Sequence, residues 1–256
     1  MLVEICIDSV EGAIAAQAGG AQRVELCADL LEGGITPSAG MITQVRKRIS
    51  LALNVIIRPR GADFLYSEHE LVVMAHDIQV AKDLGADGVV IGMLTAEGAI
   101  DSARTARLLD LARPLPVTFH RAFDMTRDPF AALDTLIDLG VDRLLTSGQQ
   151  PTALAGLTLI KQLVERAAGR IVIMPGGGID ENNVGQIVAE TAVSEVHFSA
   201  RRLVHSGMNF RNPQVFMGGT SIPEEFAWKV TNAERVQRII ERLRDGDREE
   251  GSKIAS

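Results

Sequence analysis

Aromatic residues are scarce in this chain of 256 residues: Phe, Trp and Tyr make up 4%, although 46% of the residues are hydrophobic. The core must therefore be built from Val, Ile, Leu and Ala, the mix expected of parallel strands buried on both faces. Cysteine is scarcer still, with Cys6 and Cys27 the only two. Two thiols cannot make a disulfide framework and suit a reducing compartment. Basic charge is also short, since 26 Lys and Arg stand against 33 Asp and Glu for a formal net charge of -7. That balance argues against a nucleic-acid or anionic-membrane surface. No apolar run approaches the roughly 18 residues of a membrane span, and Met1-Leu-Val-Glu-Ile-Cys6 enters a strand pattern with no signal-peptide character. These absences predict a soluble, cytoplasmic protein whose partner is an ion or a small molecule.

Several chemistries lack their motifs. There is no H-E-x-x-H, C-x-x-C, Walker loop or G-x-S-x-G elbow. Two thiols and scattered His do not have the spacing of a structural zinc site. Lysines such as Lys47, Lys82, Lys161 and Lys229 fall in or near helical segments, so no strand offers an inward amine for a Schiff base.

What the chain does have is regular alternation. Short strand patterns at residues 2–7, 23–27, 53–57, 88–91, 116–119, 143–146, 171–174 and 195–198 alternate with helical segments. Stop and start signals fit: Asp8 or Ser9 can cap the first helix, which ends at Gly19-Gly20, and Asp128-Pro129 opens another that stops at Gly140. Helices are also expected from about Ser38, over 68–84, 101–113 and 152–167, from Asp180, and over 231–244, with a long loop at about 205–223. Eight strands alternating with eight helices predict an α/β fold, a (β/α)₈ TIM barrel in one domain over 1–246, with 247–256 a disordered tail. A doubly wound open sheet is the alternative.

A barrel predicts its own site, because barrel sites sit at the C-terminal ends of the strands. In Pro116-Val-Thr-Phe-His120, alternation places Thr118 and His120 on one face, with Arg121 and Asp124 just beyond. Val3-Glu-Ile-Cys6 returns as Val24-Glu-Leu-Cys27, so Glu4, Glu25 and both thiols are expected to face one another across neighbouring strands. Glu4, Glu25, Arg58, Thr118, His120 and His197 are unusual inward residues for a barrel. A buried salt-bridge layer of Glu4 and Glu25 with Arg58 is the structural alternative to a functional role. Gly176, Gly177 and Gly178 follow strand seven, where backbone N–H groups and a helix beginning at Asp180 can receive a phosphate; a tight turn capped by Asp180 fits equally well. Ser199 and Arg201 would stand alongside, with Arg58 or Arg60 reaching across the mouth.

The segments Val24-Glu-Leu-Cys-Ala28, Glu32-Gly-Gly-Ile-Thr-Pro-Ser38, Ile57-Arg-Pro-Arg-Gly-Ala-Asp-Phe64, Val117-Thr-Phe-His-Arg-Ala-Phe-Asp-Met125, Leu144-Leu-Thr-Ser-Gly148 and Met174-Pro-Gly-Gly-Gly178 resemble the CutC family, named for copper homeostasis. The resemblance runs from residue 2 to about 230 and is closer to animal-type members than to enterobacterial ones. It implies a cytoplasmic (β/α)₈ barrel that self-associates into a homo-oligomer and binds copper(I) through cysteines near the mouth, here Cys6 and Cys27. Ile7 and Phe198 stand where other members can carry further cysteines, which leaves a two-thiolate site.

Two functions are thus expected to compete. One is copper handling, with Cys6 and Cys27 as ligands, since Cu(I) favours thiolates; two buried small hydrophobes are the bland alternative for free cysteines. The other is an enzyme acting on a small anionic or sugar-like metabolite. There Arg58 and Arg60 would orient the ligand, His120 would move the proton, and Glu25 or Asp124 would assist it.

Overall fold

The computed structural model describes residues 1–212, 214, 215 and 225–254. Eight parallel strands make one sheet in the order β7-β6-β5-β4-β3-β2-β1-β8. They are β1 Leu2–Ile7, β2 Arg23–Leu26, β3 Ala52–Ile56, β4 Gly88–Ile91, β5 Val117–Phe119, β6 Arg143–Thr146, β7 Val172–Pro175 and β8 Glu195–Phe198. A parallel bridge from Gly176 to His197 brings β7 against β8 and closes the ring. The expected (β/α)₈ barrel is therefore the fold.

The intervening helices are α1 Val10–Ala18, α2 Ala39–Arg46, α3 Glu68–Asp83, α4 Ser102–Ala112, α5 Pro129–Asp138, α6 Leu157–Ala167 and α7 Val184–Thr191. Their starts are written locally. Ser9 accepts from the Gly12 N–H, Ser67 and Glu70 form a reciprocal capping box, and Asp128 caps α5 with Pro129 in its first turn. The helices press onto the outer face of the sheet, where Ile5, Val24, Leu53, Val89 and Phe119 belong to the large apolar core. The opposite face of each strand points into the barrel.

Four segments differ from the sequence expectation. The helix expected from Thr152 starts at Leu157, because the preceding turn docks on β7: the Ala153 N–H donates to the Gly177 carbonyl at 2.9 Å, and Gly156 lies against Ser147 and Gly148. Asp180 does not begin a helix; its Oδ1 accepts from the Asn182 N–H at 2.8 Å, and α7 starts at Val184. The chain after β8 forms an antiparallel hairpin not expected from the sequence, β9 Arg201–His205 with β10 Ala227–Thr231, on either side of the loop expected at about 205–223; residues 213 and 216–223 of that loop lie outside the described residues. The last helix, α8 Ala233–Ile254, continues past Gly246. Lys229 lies exposed on β10, outside the barrel.

The foot of the barrel interior is ionic. Arg23 donates to Glu4 and to Glu195, Arg143 makes a second pair with Glu195 at 2.5 Å and donates to Thr118 at 3.1 Å, and Asn54 donates to Glu4 at 3.1 Å. A buried salt-bridge layer thus exists, but its cations are Arg23 and Arg143. Arg58 takes no part, because β3 carries its side chain up into the mouth loops.

Candidate site at the barrel mouth

A cavity of about 480 Å³ opens at the C-terminal ends of the strands. Cys6, Glu25, Arg58, His120, His197, Ser199 and Arg201 all line it, together with Gly177, Gly178 and Asp124. Of the residues expected at the site, Cys27, Arg60 and Gly176 are not in its lining. Arg60 is drawn outward by Glu70 at 2.5 Å and Asp63 at 2.9 Å, and its guanidinium lies over Tyr66. At Gly176, any added Cβ would meet Leu145 and His197, so its lack of a side chain serves the β7–β8 contact.

The sulfurs meet on one side of the cavity. Parallel register sets Cys6 beside Glu25 and Glu4 beside Arg23, so the two Glu-x-Cys motifs are staggered by one pleat instead of facing residue for residue. Strand tilt in a closed barrel imposes such a stagger. It still brings Cys6 Sγ to 3.8 Å from Cys27 Sγ, and Cys27 Sγ to 3.5 Å from Glu25 Oε2. Cys27 is buried beneath Gly34, whose φ of +93° and missing side chain let the loop after β2 cover the sulfur. Cys6 and Glu25 are the open side of the group.

The protonation pattern follows from the packing. A hydrogen bond from the Cys27 thiol holds the Cys6 thiol down to about 5, against desolvation and with help from His197. Sharing that proton, together with burial, raises Cys27 well above the usual thiol range. Burial first, and then the negative charge of Cys6, raise Glu25 to about 8. His197 is pushed up as well: burial opposes its charge, but hydrogen bonds to Cys6 and Glu4 outweigh it, with Nδ1 2.8 Å from Glu4 Oε1. Glu4 falls to about 2, because hydrogen bonds and charge from His197 and Arg23 overcome burial. His197 is the least conspicuous in sequence of the residues lining this side of the cavity. Its signal is a histidine at an inward position of a strand otherwise apolar at Val196 and Phe198.

Cys6, Glu25 and Cys27 each present a donor atom within 4.8 Å of the others. Two sulfurs 3.8 Å apart subtend roughly a tetrahedral angle at an ion bonded to each at about 2.3 Å, the thiolate distance of zinc sites. The two sulfurs are soft donors and the group is low in coordination number, which suits Cu(I) better than a hard cation.

The other wall is built from β3 and β5. His120 Nδ1 accepts from the Ala122 N–H at 3.1 Å, so the ring proton sits on Nε2. Burial and the charge of Arg58 lower its pKa to about 3. At neutral pH His120 is therefore a neutral donor held in place by Ala122. Arg58 donates to the carbonyls of Glu32 at 2.6 Å, Gly34 at 2.9 Å and Ala62 at 3.0 Å, tying two mouth loops together. Among the described residues Asp124 makes no hydrogen bond to His120. Its carboxylate is occupied by Arg121, Thr146, Gln149 and both the N–H and the hydroxyl of Ser147, and it shapes the loop after β6.

Comparison with known proteins gives this geometry its context. The profile of the CutC family matches residues 1–202. The copper homeostasis protein cutC homolog of Mus musculus is 52% identical over 238 residues, 93% of this chain and 88% of the relative. A family protein CutC of Parabacteroides distasonis is 52% identical over 240 residues, 93% of this chain and 99% of the relative. Among solved structures, a CutC from Streptococcus agalactiae superposes with a TM-score of 0.74 at 36% identity, covering 78% of this chain and 98% of that one. The chain therefore belongs to the CutC family.

Proposed function

We propose that this protein handles copper as cargo, binding Cu(I) between Cys6 and Cys27 with Glu25 as a third, weaker donor. The observation that carries the reading is the convergence of the two sulfurs to 3.8 Å at the wall of an open cavity. Family membership supports it, since the mouse relative is named for copper homeostasis. Arg201 and His197 stand near the Cys6 sulfur and would offset the negative charge that thiolates bring to the ion. Titrating the reduced protein with Cu(I) against a competing chelator tests the proposal. The Cys6→Ser, Cys27→Ser double variant should lose at least about a hundredfold in affinity, as removal of both soft ligands demands. Equal affinity in wild type and double variant would sink it.

A second reading, an enzyme acting on a small anionic or sugar-like metabolite, is favoured by Glu25. Its carboxyl, raised to about 8 and open to the cavity, holds a proton near neutral pH as a general acid must. In that reading Glu25, and not His120, carries the proton.

A further inference from the structure

The mouth holds polar groups that a sulfur site leaves unused. On the β7 side, the amide N–H groups of Gly177, Gly178 and Ile179 find no acceptor among the described residues. The positive φ angles of Gly177 and Gly178, +103° and +69°, let this stretch of backbone face the cavity without side chains in the way. Arg201, at the start of β9 just beyond β8, lines the same cavity half-buried, and its guanidinium has no hydrogen bond or ion pair among the described residues. Asp180 does not compete for these amides, because its carboxylate is turned to the Asn182 N–H.

The facing wall carries two more free donors. His120 Nε2 and Arg58 Nε are buried and lack any hydrogen-bond partner, while His120 as a whole is only 5% exposed. The Phe64 ring at 5.2 Å and the Nδ1 bond to Ala122 hold the imidazole in place. In the ring of strands β3 stands four positions from β7 either way round, so Arg58 lies across the mouth from the glycine loop. Buried donors without acceptors are rare in folded proteins, and two of them lining one cavity mark a place where a ligand supplies the acceptors.

We infer that this cavity binds a small phosphorylated metabolite, its phosphate received by the Gly177, Gly178 and Ile179 amides with Arg201, and an acceptor on its body bonded to His120 Nε2–H. Three amides and a guanidinium offer more donors than the two oxygens of a carboxylate use, and they suit a tetrahedral oxyanion. A second guanidinium adds to the field, since Arg121 Nη1 would lie 3.3 Å from a Cβ placed on Gly177. At about 480 Å³ the cavity falls within the roughly 300–1,000 Å³ of small-molecule sites, larger than phosphate alone requires. The inference is independent of whether the sulfur pair holds copper.

Calorimetric titration of the full chain tests it with four probes: inorganic phosphate, short-chain sugar phosphates, the matching free sugars and a hydroxy acid. Sugar phosphates should bind tightest, inorganic phosphate more weakly, and free sugars not at all. Arg201→Gln should weaken both phosphate ligands about tenfold or more, the loss expected for a charge-assisted hydrogen bond. His120→Phe should weaken the sugar phosphates and leave inorganic phosphate unchanged, with circular dichroism reporting that both variants fold. The proposal is overturned if no sugar phosphate binds, if inorganic phosphate or the hydroxy acid binds tighter, or if Arg201→Gln binds like wild type.

Discussion

At the foot of the barrel, Arg23 serves both Glu4 and Glu195, Arg143 grips Glu195 and Thr118, and Asn54 completes Glu4. At the mouth, one turn of strand higher, His120 and Arg58 each keep a buried nitrogen without a partner, and Cys6 and Glu25 open onto a cavity. Both layers place charged and polar residues where an ordinary barrel carries branched aliphatics. They differ in whether the protein itself completes the hydrogen bonding. A saturated layer rigidifies the closed sheet, whereas unsatisfied groups beside a cavity are set to be completed by something else. Residue type does not separate the two; only the partners do.

Removing a cation from the foot should have the largest effect. Arg23→Met leaves Glu4 and Glu195 buried with fewer partners and should cost about 3–5 kcal/mol, read as a lower urea midpoint at unchanged slope. An unchanged midpoint would mean that the foot is no more integrated than the mouth.

The next test separates the layers by pH. The His120 pKa falls from the ordinary 6.5 to about 3 in the folded state, so its contribution to stability is present above 6.5 and is lost as pH falls toward 3. Glu4, lowered from 4.5 to about 2, loses its contribution only below pH 4.5. Measured as a difference, wild type should therefore lose stability relative to His120→Phe as pH falls from 6.5 toward 4.5, while both proteins keep the Glu4 loss below 4.5 and share the opposing contribution of Glu25, whose raised pKa favours the folded state as pH falls from 8 toward 4.5. Parallel curves for the two proteins would assign the upper limb to another group.

The smallest effect is expected at Arg60, which the sequence pattern assigns to the site and the fold leaves outside the cavity. Its pairs with Glu70 and Asp63 are partly exposed, so Arg60→Gln should change stability by about 0–1 kcal/mol and leave both Cu(I) and phosphate titrations as in wild type. A loss of either ligand would return Arg60 to the site.

Much of the fold is legible in the sequence because it is encoded locally. Apolar runs of strand length, Ser67 with Glu70, and Asp128 with Pro129 each act over a few residues, so the alternation of strands and helices can be read without knowing any long-range contact. The β9–β10 hairpin is not legible in this way, because both its strands are largely exposed and show no apolar alternation. Legibility of the site is uneven. His120, Glu25, Cys6 and Cys27 reach one cavity or its wall because they stand at the inward, C-terminal ends of β5, β2 and β1, a consequence of period-2 alternation. Proximity in sequence sets Asp124 beside His120, but the turn at Arg121–Met125 carries it to the loop after β6.

The sequence by itself determined that eight strands would alternate with helices, and which strand positions would carry polar side chains on one face, since both follow from hydrophobic periodicity and chain-local turn signals. Only the tertiary structure decided the pairing among those side chains. Arg23 and Arg143 rather than Arg58 neutralise the buried acids, His197 lies against Glu4, and the sulfurs come within 3.8 Å although their motifs are offset by a pleat. The reason is physical: partner choice depends on barrel stagger and on side-chain reach between residues as far apart as Glu4 and His197, and neither quantity is carried by any local stretch of chain.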